Sequence, residues 1–280
     1  MDLPPSLRLP ETLEIDAYAP AQIAERVERA GVAKARLPLL QTFTLGVLGG
    51  AFIALGALYF TLVLTGAGAG FGPARLLGGV AFSLGMVMVV VAGAELFTGN
   101  NLLVMAWVEG RISLRELLRN WAVVYVANFA GAFGLALFVW FADALAFGGG
   151  QMIETAAAIA RAKVALEPVQ AFFRGILCNV LVCMAVWLSF AAREVTGKIL
   201  AVVFPISAFV ALGFENSIAN MYLVPVAMLY GVEGVDLAGF FGNLIPVTFG
   251  NMVGGGGLVA LAYWLCYRFR AGEGSAFRKS

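Results

Sequence analysis

The chain has no histidine in 280 residues, and only 12% of its residues are charged. Soluble domains carry about 25% charged residues, so a core of this size wrapped in a water-facing surface is excluded. Without histidine there is no His-ligated haem, no Ser-His or Cys-His catalysis, and none of the His-rich metal sites common in membrane enzymes. Cysteine is scarce as well. Cys178, Cys183 and Cys266 all fall inside apolar runs with no C-x-x-C pair, which indicates neither a disulfide framework nor a zinc or redox centre. No G-x-x-x-x-G-K-[ST] run supports ATP-driven transport. A formal charge of +1 and no basic stripe interleaved with aromatics give no sign of a nucleic-acid partner. No enzyme activity, catalytic residue, metal or cofactor is therefore expected. The opening Met1-Asp2-Leu3-Pro4-Pro5 lacks the basic flank and short apolar region of a cleaved signal, so the first span is expected to act as the insertion signal.

What the sequence does have is apolar length. Hydrophobic residues make up 61% of it, in six runs near 39–65, 76–107, 119–147, 168–191, 199–230 and 238–267, each able to cross a hydrocarbon layer of about 30 Å. Runs two, five and six are longer than the roughly 20 residues a crossing needs. Runs two and five are also interrupted by polar residues, at Glu95-Leu96-Phe97-Thr98-Gly99-Asn100-Asn101 and at Glu215-Asn216-Ser217-Ile218-Ala219-Asn220. Overlong and interrupted, they read as broken helices. The expected class is all-α: a six-span transmembrane bundle (38–267) between an N-terminal segment (1–37) and a short tail (268–280), with the lipid bilayer as partner.

Orientation follows from where the positive residues fall. One set of connections holds fourteen: Arg8, Arg26, Arg29, Lys34, Arg36, Arg111, Arg115, Arg119, Arg193, Lys198, Arg268, Arg270, Arg278 and Lys279. The other set holds three, Arg75, Arg161 and Lys163, with Arg174 inside span four. Both termini are therefore expected in the cytoplasm, and the protein in the cell membrane. Within 20–36, Ile23, Val27 and Val32 keep near-helical spacing among charges, which predicts an amphipathic helix on the cytoplasmic face; a capping or interface element is favoured over a transport role for it.

The two halves echo each other. Gly93-Ala94-Glu95 opens the first break and Gly213-Phe214-Glu215 the second; Asn128-Phe129-Ala130-Gly131 in span three has Asn251-Met252-Val253-Gly254 in span six. Each half holds an odd number of spans, so the second copy must be inserted upside down, and broken helices in such inverted repeats place a permeation site near the midplane. Gly46-x-x-x-Gly50 and Gly250-x-x-x-Gly254 read as close helix packing rather than substrate contact.

At Ala81-Phe82-Ser83-Leu84-Gly85, Glu95-Leu96-Phe97-Thr98, Gly175-Ile176-Leu177-Cys178-Asn179, Gly213 to Met221 and Asn243 to Asn251 the chain resembles the formate/nitrite transporter family, over most of residues 20–270. The resemblance implies an aquaporin-like fold, a homopentamer with one pathway per protomer, and passage of formate, nitrite, hydrosulfide or lactate. It also implies roles by position: Phe82 and Phe209 as an outer apolar constriction, Leu96 and Met86 as the inner one, Phe97 beside them, Thr98 in the first break facing Asn216 in the second, and Lys163, Glu215 and Asn251 as a polar group near the outer vestibule. Asn216 departs from the family pattern, which has a histidine there. A small anion and a proton are the implied partners, with formate leading and nitrite, lactate or hydrosulfide as the alternative.

The residues themselves leave room for other readings. Lys163 reads equally as an interfacial lysine snorkelling to water. Glu215 reads either as directly functional or as a cap or ion-pair partner that holds its loop, Glu95 more as a cap or ion pair, and Arg174 as a contact for an acidic group. The half-helix amino termini at the breaks are expected to offer partial positive charge and free N–H groups to an anion.

Overall fold

The computed structural model describes residues 16–68 and 70–269, and among these every regular element is helical. The expected N-terminal residues before Asp16 and the tail beyond Phe269, with Arg8, Arg270, Arg278 and Lys279, lie outside the described residues. Helix α1 (Pro20–Ala35) precedes α2 (Leu39–Leu64), and α3 (Phe71–Val87) runs on as a π-helical turn to Gly93. After a break come a 3₁₀ turn (Gly99–Leu103) and the short α4 (Val104–Val108), then α5 (Leu114–Phe141). The second half follows as α6 (Gln151–Val164), α7 (Pro168–Ala191), α8 (Val195–Ala211), a break, α9 (Ser217–Leu229), α10 (Leu237–Met252), a π-helical stretch to Leu261 and α11 (Ala262–Tyr267).

Five stretches are long and apolar enough to cross a membrane: Leu39–Leu64, Phe71–Gly93, Leu114–Phe141, Pro168–Ala191 and Leu237–Tyr267. Helices α8 and α9 are each too short alone and together take the place of the fifth run, so both predicted breaks are present. The third span starts earlier than its hydropathy suggests because Ser113 caps it: the Ser113 hydroxyl accepts from Glu116 N–H at 3.2 Å and the Glu116 carboxylate accepts from Ser113 N–H at 2.7 Å, a reciprocal pair worth about 1 kcal/mol. It ends at Phe141, shortly before Asp143 takes a left-handed φ of 49°.

Helix α6 falls between the third and fourth apolar runs. It buries Met152, Ala156, Ala157 and Ala160 and covers one end of the bundle, where Thr65, just past α2, donates its hydroxyl to Thr155 of α6 at 3.0 Å. Helix α1 covers the other end. Its Ile23, Ala24 and Val27 pack with Leu103, Met105 and Ala106, and its buried Glu28 is paired with Arg111 (3.0 Å) and Arg268 (2.8 Å). The 26-residue α2 between them is about 39 Å long, so α1 and α6 mark opposite ends of the molecule.

Glycine brings the spans together. A Cβ on Gly50 would fall on Asn128 O, and one on Gly131 on Val47 O; in the second half the same is true of Gly250 against Phe172 O and Gly254 against Ile176 O. Both glycine pairs read from the sequence are thus packing sites. Gly131→Ala therefore forces α2 and α5 apart and should cost at least about 1–3 kcal/mol, read as a lowered unfolding temperature in detergent. Gly134→Ala, one turn along α5 with open space around it, should leave that temperature unchanged; equal behaviour of the two variants would show that close approach is not what the glycine provides.

Candidate functional site

Each break opens in the same way. Gly93 and Gly213 take φ of 88° and 73°, a conformation that L side chains resist. The next N–H then turns back on the helix, Ala94 donating to Val89 O and Phe214 to Phe209 O, both at 3.0 Å, which satisfies carbonyls left over at the helix end. An asparagine from a neighbouring span clamps each loop. Asn128 of α5 donates to Gly46 O (2.7 Å) and Glu95 O (2.8 Å) and accepts from Phe97 N–H (2.9 Å). Asn251 of α10 donates to Gly175 O (2.8 Å) and Glu215 O (3.0 Å) and accepts from Ser217 N–H (2.9 Å). The Asn128 and Asn251 segments matched in the sequence because they do the same mechanical work.

Each break also buries one carboxylate, and the two are neutralised by the same four-residue ladder. Lys34 pairs with Glu95 at 2.9 Å; Asn100 donates to Glu95 Oε2 at 2.6 Å and to Asn120 Oδ1 at 2.9 Å; Asn120 donates back to Lys34 O at 3.2 Å. At the other end Lys163 pairs with Glu215 at 3.0 Å; Asn220 donates to Glu215 Oε2 and to Asn243 Oδ1, both at 2.7 Å; Asn243 donates back to Lys163 O at 3.0 Å. A carboxylate this deep in an apolar bundle is tolerated only with a cation and further donors, and each ladder supplies both.

Two cavities flank these breaks. One, of about 490 Å³, opens at the α1 end and is lined by Lys34, Glu95, Leu96, Met86 and Lys198 among others. The second, of about 150 Å³, lies at the α6 end between Arg75, Lys163, Arg174, Glu215 and Asn216 on its polar side and Phe60, Phe82 and Phe209 on its apolar side. Two lysines face one glutamate in the first, and three cations face one glutamate in the second, so both are cation-rich. Phe82 and Phe209 meet edge to face with centroids 5.6 Å apart, and Phe60 backs Phe82 at 6.4 Å.

The structure thus brings Phe82, Phe209, Lys163, Glu215, Asn216 and Arg174 together at one cavity and Met86 and Leu96 at the other. Three residues placed on the pathway by resemblance line neither. Phe97 turns away from the side Leu96 faces and packs its ring on Tyr125 (4.9 Å) and Trp121 (6.0 Å). Thr98 is fully buried. Its carbonyl accepts from Asn179 (3.2 Å) while its hydroxyl has no partner, so no hydrogen bond ties it to Asn216. Asn251 reaches the Glu215 backbone, while the carboxylate itself takes Lys163 and Asn220, with Asn243 behind Asn220.

The cap of α9 is Asn216 rather than Glu215. Its Oδ1 accepts from Ile218 N–H (3.0 Å) and Ala219 N–H (3.1 Å), and Ser217 N–H goes to Asn251. The first three N–H groups of α9 are therefore spent inside the protein, which corrects the expectation of free donors at this break. With its oxygen held by two N–H groups, Asn216 has only the Nδ2 donor left to present to the cavity it lines.

Lys34, Asn100, Asn120, Asn220 and Asn243 receive no role at the site from the sequence, yet a signal is there. Lys34 stands as far before α2 as Lys163 does before α7, and Asn100 as far after Glu95 as Asn220 after Glu215. Carrying the repeat comparison beyond the breaks themselves would have found all five. An all-helical bundle with two matching broken spans and a cation-rich cavity at either end of an aromatic and aliphatic waist defines a membrane transport protein.

The chain belongs to the formate/nitrite transporter family, whose model, described as Formate/nitrite transporter, matches residues 21–265. It is 38% identical over 271 residues to formate channel FocA of Escherichia coli (strain K12), covering 90% of this chain and 95% of that one. It is 41% identical over 267 residues to the probable formate transporter of Methanothermobacter thermautotrophicus, covering 89% and 97%. A solved structure described as a pentameric formate channel with formate bound superposes with a TM-score of 0.77 at 39% identity, covering 82% of this chain and 97% of that one.

The ladders make a stability prediction. Glu215→Gln leaves the Lys163 ammonium, whose side chain is 13% exposed, without its counter-charge and should cost about 3–5 kcal/mol. Lys163→Met combined with Glu215→Gln removes both charges and should recover most of the loss in unfolding temperature. A double variant no more stable than Glu215→Gln alone would show that the ion pair is not the source of the cost.

Proposed function

We propose that this protein is a homopentameric permease of the cytoplasmic membrane for small monovalent weak-acid anions, formate foremost, and that each substrate crosses with a proton. The observation that carries the reading is the pair of cation-rich cavities separated by the Phe82, Phe209, Met86 and Leu96 waist. Formate and the pentamer are supported by the relatives described in those terms. Six crossings with both termini, and hence the α1 end, in the cytoplasm are supported by the fourteen-to-three division of positive residues. The 150 Å³ cavity at the α6 end is well below the roughly 300–1,000 Å³ of sites for drug-sized ligands, which favours a substrate of a few atoms.

Proton linkage is an energetic argument. Moving a bare carboxylate-sized ion into a low-dielectric medium costs on the order of 20 kcal/mol in the idealised limit. Protonating an acid of pKa about 4 at pH 7 costs about three units, roughly 4 kcal/mol. Neutralisation is the cheaper route through an apolar waist. Asn216 cannot give up a proton, so the proton comes from vestibule water, and the amide orients the substrate by donating to one of its oxygens. The net positive charge of each cavity, Lys34 and Lys198 against Glu95 at one end and Lys163, Arg75 and Arg174 against Glu215 at the other, gathers the anion at the two entrances.

Two measurements on protein in liposomes test this. Lys163→Ala should slow formate uptake several-fold at low ionic strength and less at high, because it lowers the net positive charge of the cavity, whose pull on an anion in the surrounding water is screened over about 10 Å at 0.1 M salt; equal loss at every salt concentration would assign Lys163 a purely structural part. At clamped voltage and fixed total formate, uptake should rise as external pH falls from about 8 to 5, and an internal dye should report acidification, since the protonated fraction grows about tenfold per unit. Uptake that follows voltage, ignores pH and leaves the interior unacidified would make this an anion channel without proton movement. Running nitrite, lactate and hydrosulfide beside formate ranks the substrates.

A further inference from the structure

We propose that Arg75 is a positioning residue for the aromatic constriction at the α6 end, and that by fixing the gap between Phe82 and Phe209 it sets which monocarboxylates pass. The inference rests on the permease reading above. Arg75 lies on α3 two turns before Phe82, so the two side chains leave the helix on the same face. Its guanidinium donates through Nη2 to Val210 O at 2.6 Å and through Nε to Ala211 O at 3.2 Å. These are carbonyls at the C-terminal end of α8, in the turn directly after Phe209, where a cation is favoured by the helix dipole and leftover acceptors need donors. The same guanidinium stands over the Phe60 ring, 5.7 Å from its centroid, within the range of a cation–π contact.

Phe60 is edge to face with Phe82, and Phe82 with Phe209, so the chain of contacts closes on itself. It runs from Arg75 through Phe60 and Phe82 to Phe209, and back through the α8 backbone to Arg75. Phe60 lies between Arg75 and Phe82, Phe82 between Phe60 and Phe209, and Phe209 between Phe82 and the α8 carbonyls that Arg75 holds. A charge-only role needs just an ammonium in the cavity. This geometry needs a planar fork that serves two carbonyls and a ring face at once, which lysine cannot do. Unlike Lys163, Arg75 forms no salt bridge with Glu215; its fork is spent on the backbone beside the constriction.

The test compares formate and lactate uptake in liposomes for Arg75→Met, Arg75→Lys and Phe60→Leu, each checked by size-exclusion for the oligomer of the unaltered protein. A loosened constriction admits the larger acid, so the lactate-to-formate ratio should rise about tenfold in all three, the lower end of what one methylene of pocket shape is worth. Arg75→Lys should fail to restore the ratio even if it restores low-salt formate uptake. A ratio within about twofold of the unaltered protein in Arg75→Lys overturns the proposal, as does a parallel fall of both acids in Arg75→Met that lysine repairs. Should Arg75→Met not assemble, Arg75→Lys and Phe60→Leu carry the same decision. Uptake of neither acid by the unaltered protein overturns the permease reading and this inference with it.

Discussion

Two carboxylates, Glu95 and Glu215, sit at breaks in spans that are otherwise apolar, and nearly everything else about the site depends on how each is neutralised. An isolated carboxylate there would take up a proton or unfold its surroundings. The lysine, glutamate and two asparagines of each ladder remove that choice, because every partner is itself held: Asn100 by Asn120 and Asn220 by Asn243, with each ladder ending on the backbone of its own lysine. The ion pair therefore fixes the position of a loop rather than merely offsetting a charge. Since Asn128 and Asn251 pin the backbone carbonyls of those same two glutamates, the loops are tied at side chain and main chain alike.

That rigidity makes a narrow, dry waist possible. A broken helix left to itself would admit water to its open N–H and C=O groups. Here the N–H groups at the start of α9 are taken by Asn216 and Asn251, and the carbonyls at the end of α8 by Gly213, Phe214 and Arg75. With the backbone satisfied internally, the rings of Phe82 and Phe209 can close on each other, and the charged cavities keep to either end of the waist. Glycine serves the same end from outside, since Gly50, Gly131, Gly250 and Gly254 let the clamping spans approach to backbone contact.

The breaks were legible because polar residues in an apolar run have no other cheap explanation, and the glycine pairs because small residues spaced along one helix face mean close packing. The ladders were only half legible. Glu215 and Lys163 stood out as charges, but asparagines inside a span carry no charge to draw notice, and Lys34 lay in what read as the polar side of a peripheral helix. The resemblance puts Asn251 with Lys163 and Glu215 without saying what it holds: position in a family motif fixes which loop a residue serves, while the turn of the helix decides whether it meets the side chain or the main chain of Glu215. Helix α6 was invisible to hydropathy because its buried face is mostly alanine, too little apolar weight to register as a run.

The two ladders match residue for residue, but the positions beside their glutamates differ. Asn100 follows Glu95 at the same distance as Asn220 follows Glu215, so Leu96 and Asn216, each directly after its glutamate, occupy matching places. One end of the waist presents an isobutyl group and the other an amide donor. At the α6 end Asn216 lines one cavity together with cations and the Phe82 and Phe209 rings, while at the α1 end Leu96 and Met86 line the cavity that holds Lys34 and Lys198. At this pair of positions only the α6 end offers a side-chain donor. Under the permease reading proposed above, a charged species moving from the amide side to the isobutyl side would bear a desolvation cost of several kcal/mol, whereas a neutral acid would give up a single hydrogen bond, about 1 kcal/mol net. The asymmetry at this one pair of positions, between two otherwise matching ladders, fits passage of the neutral acid better than passage of the ion.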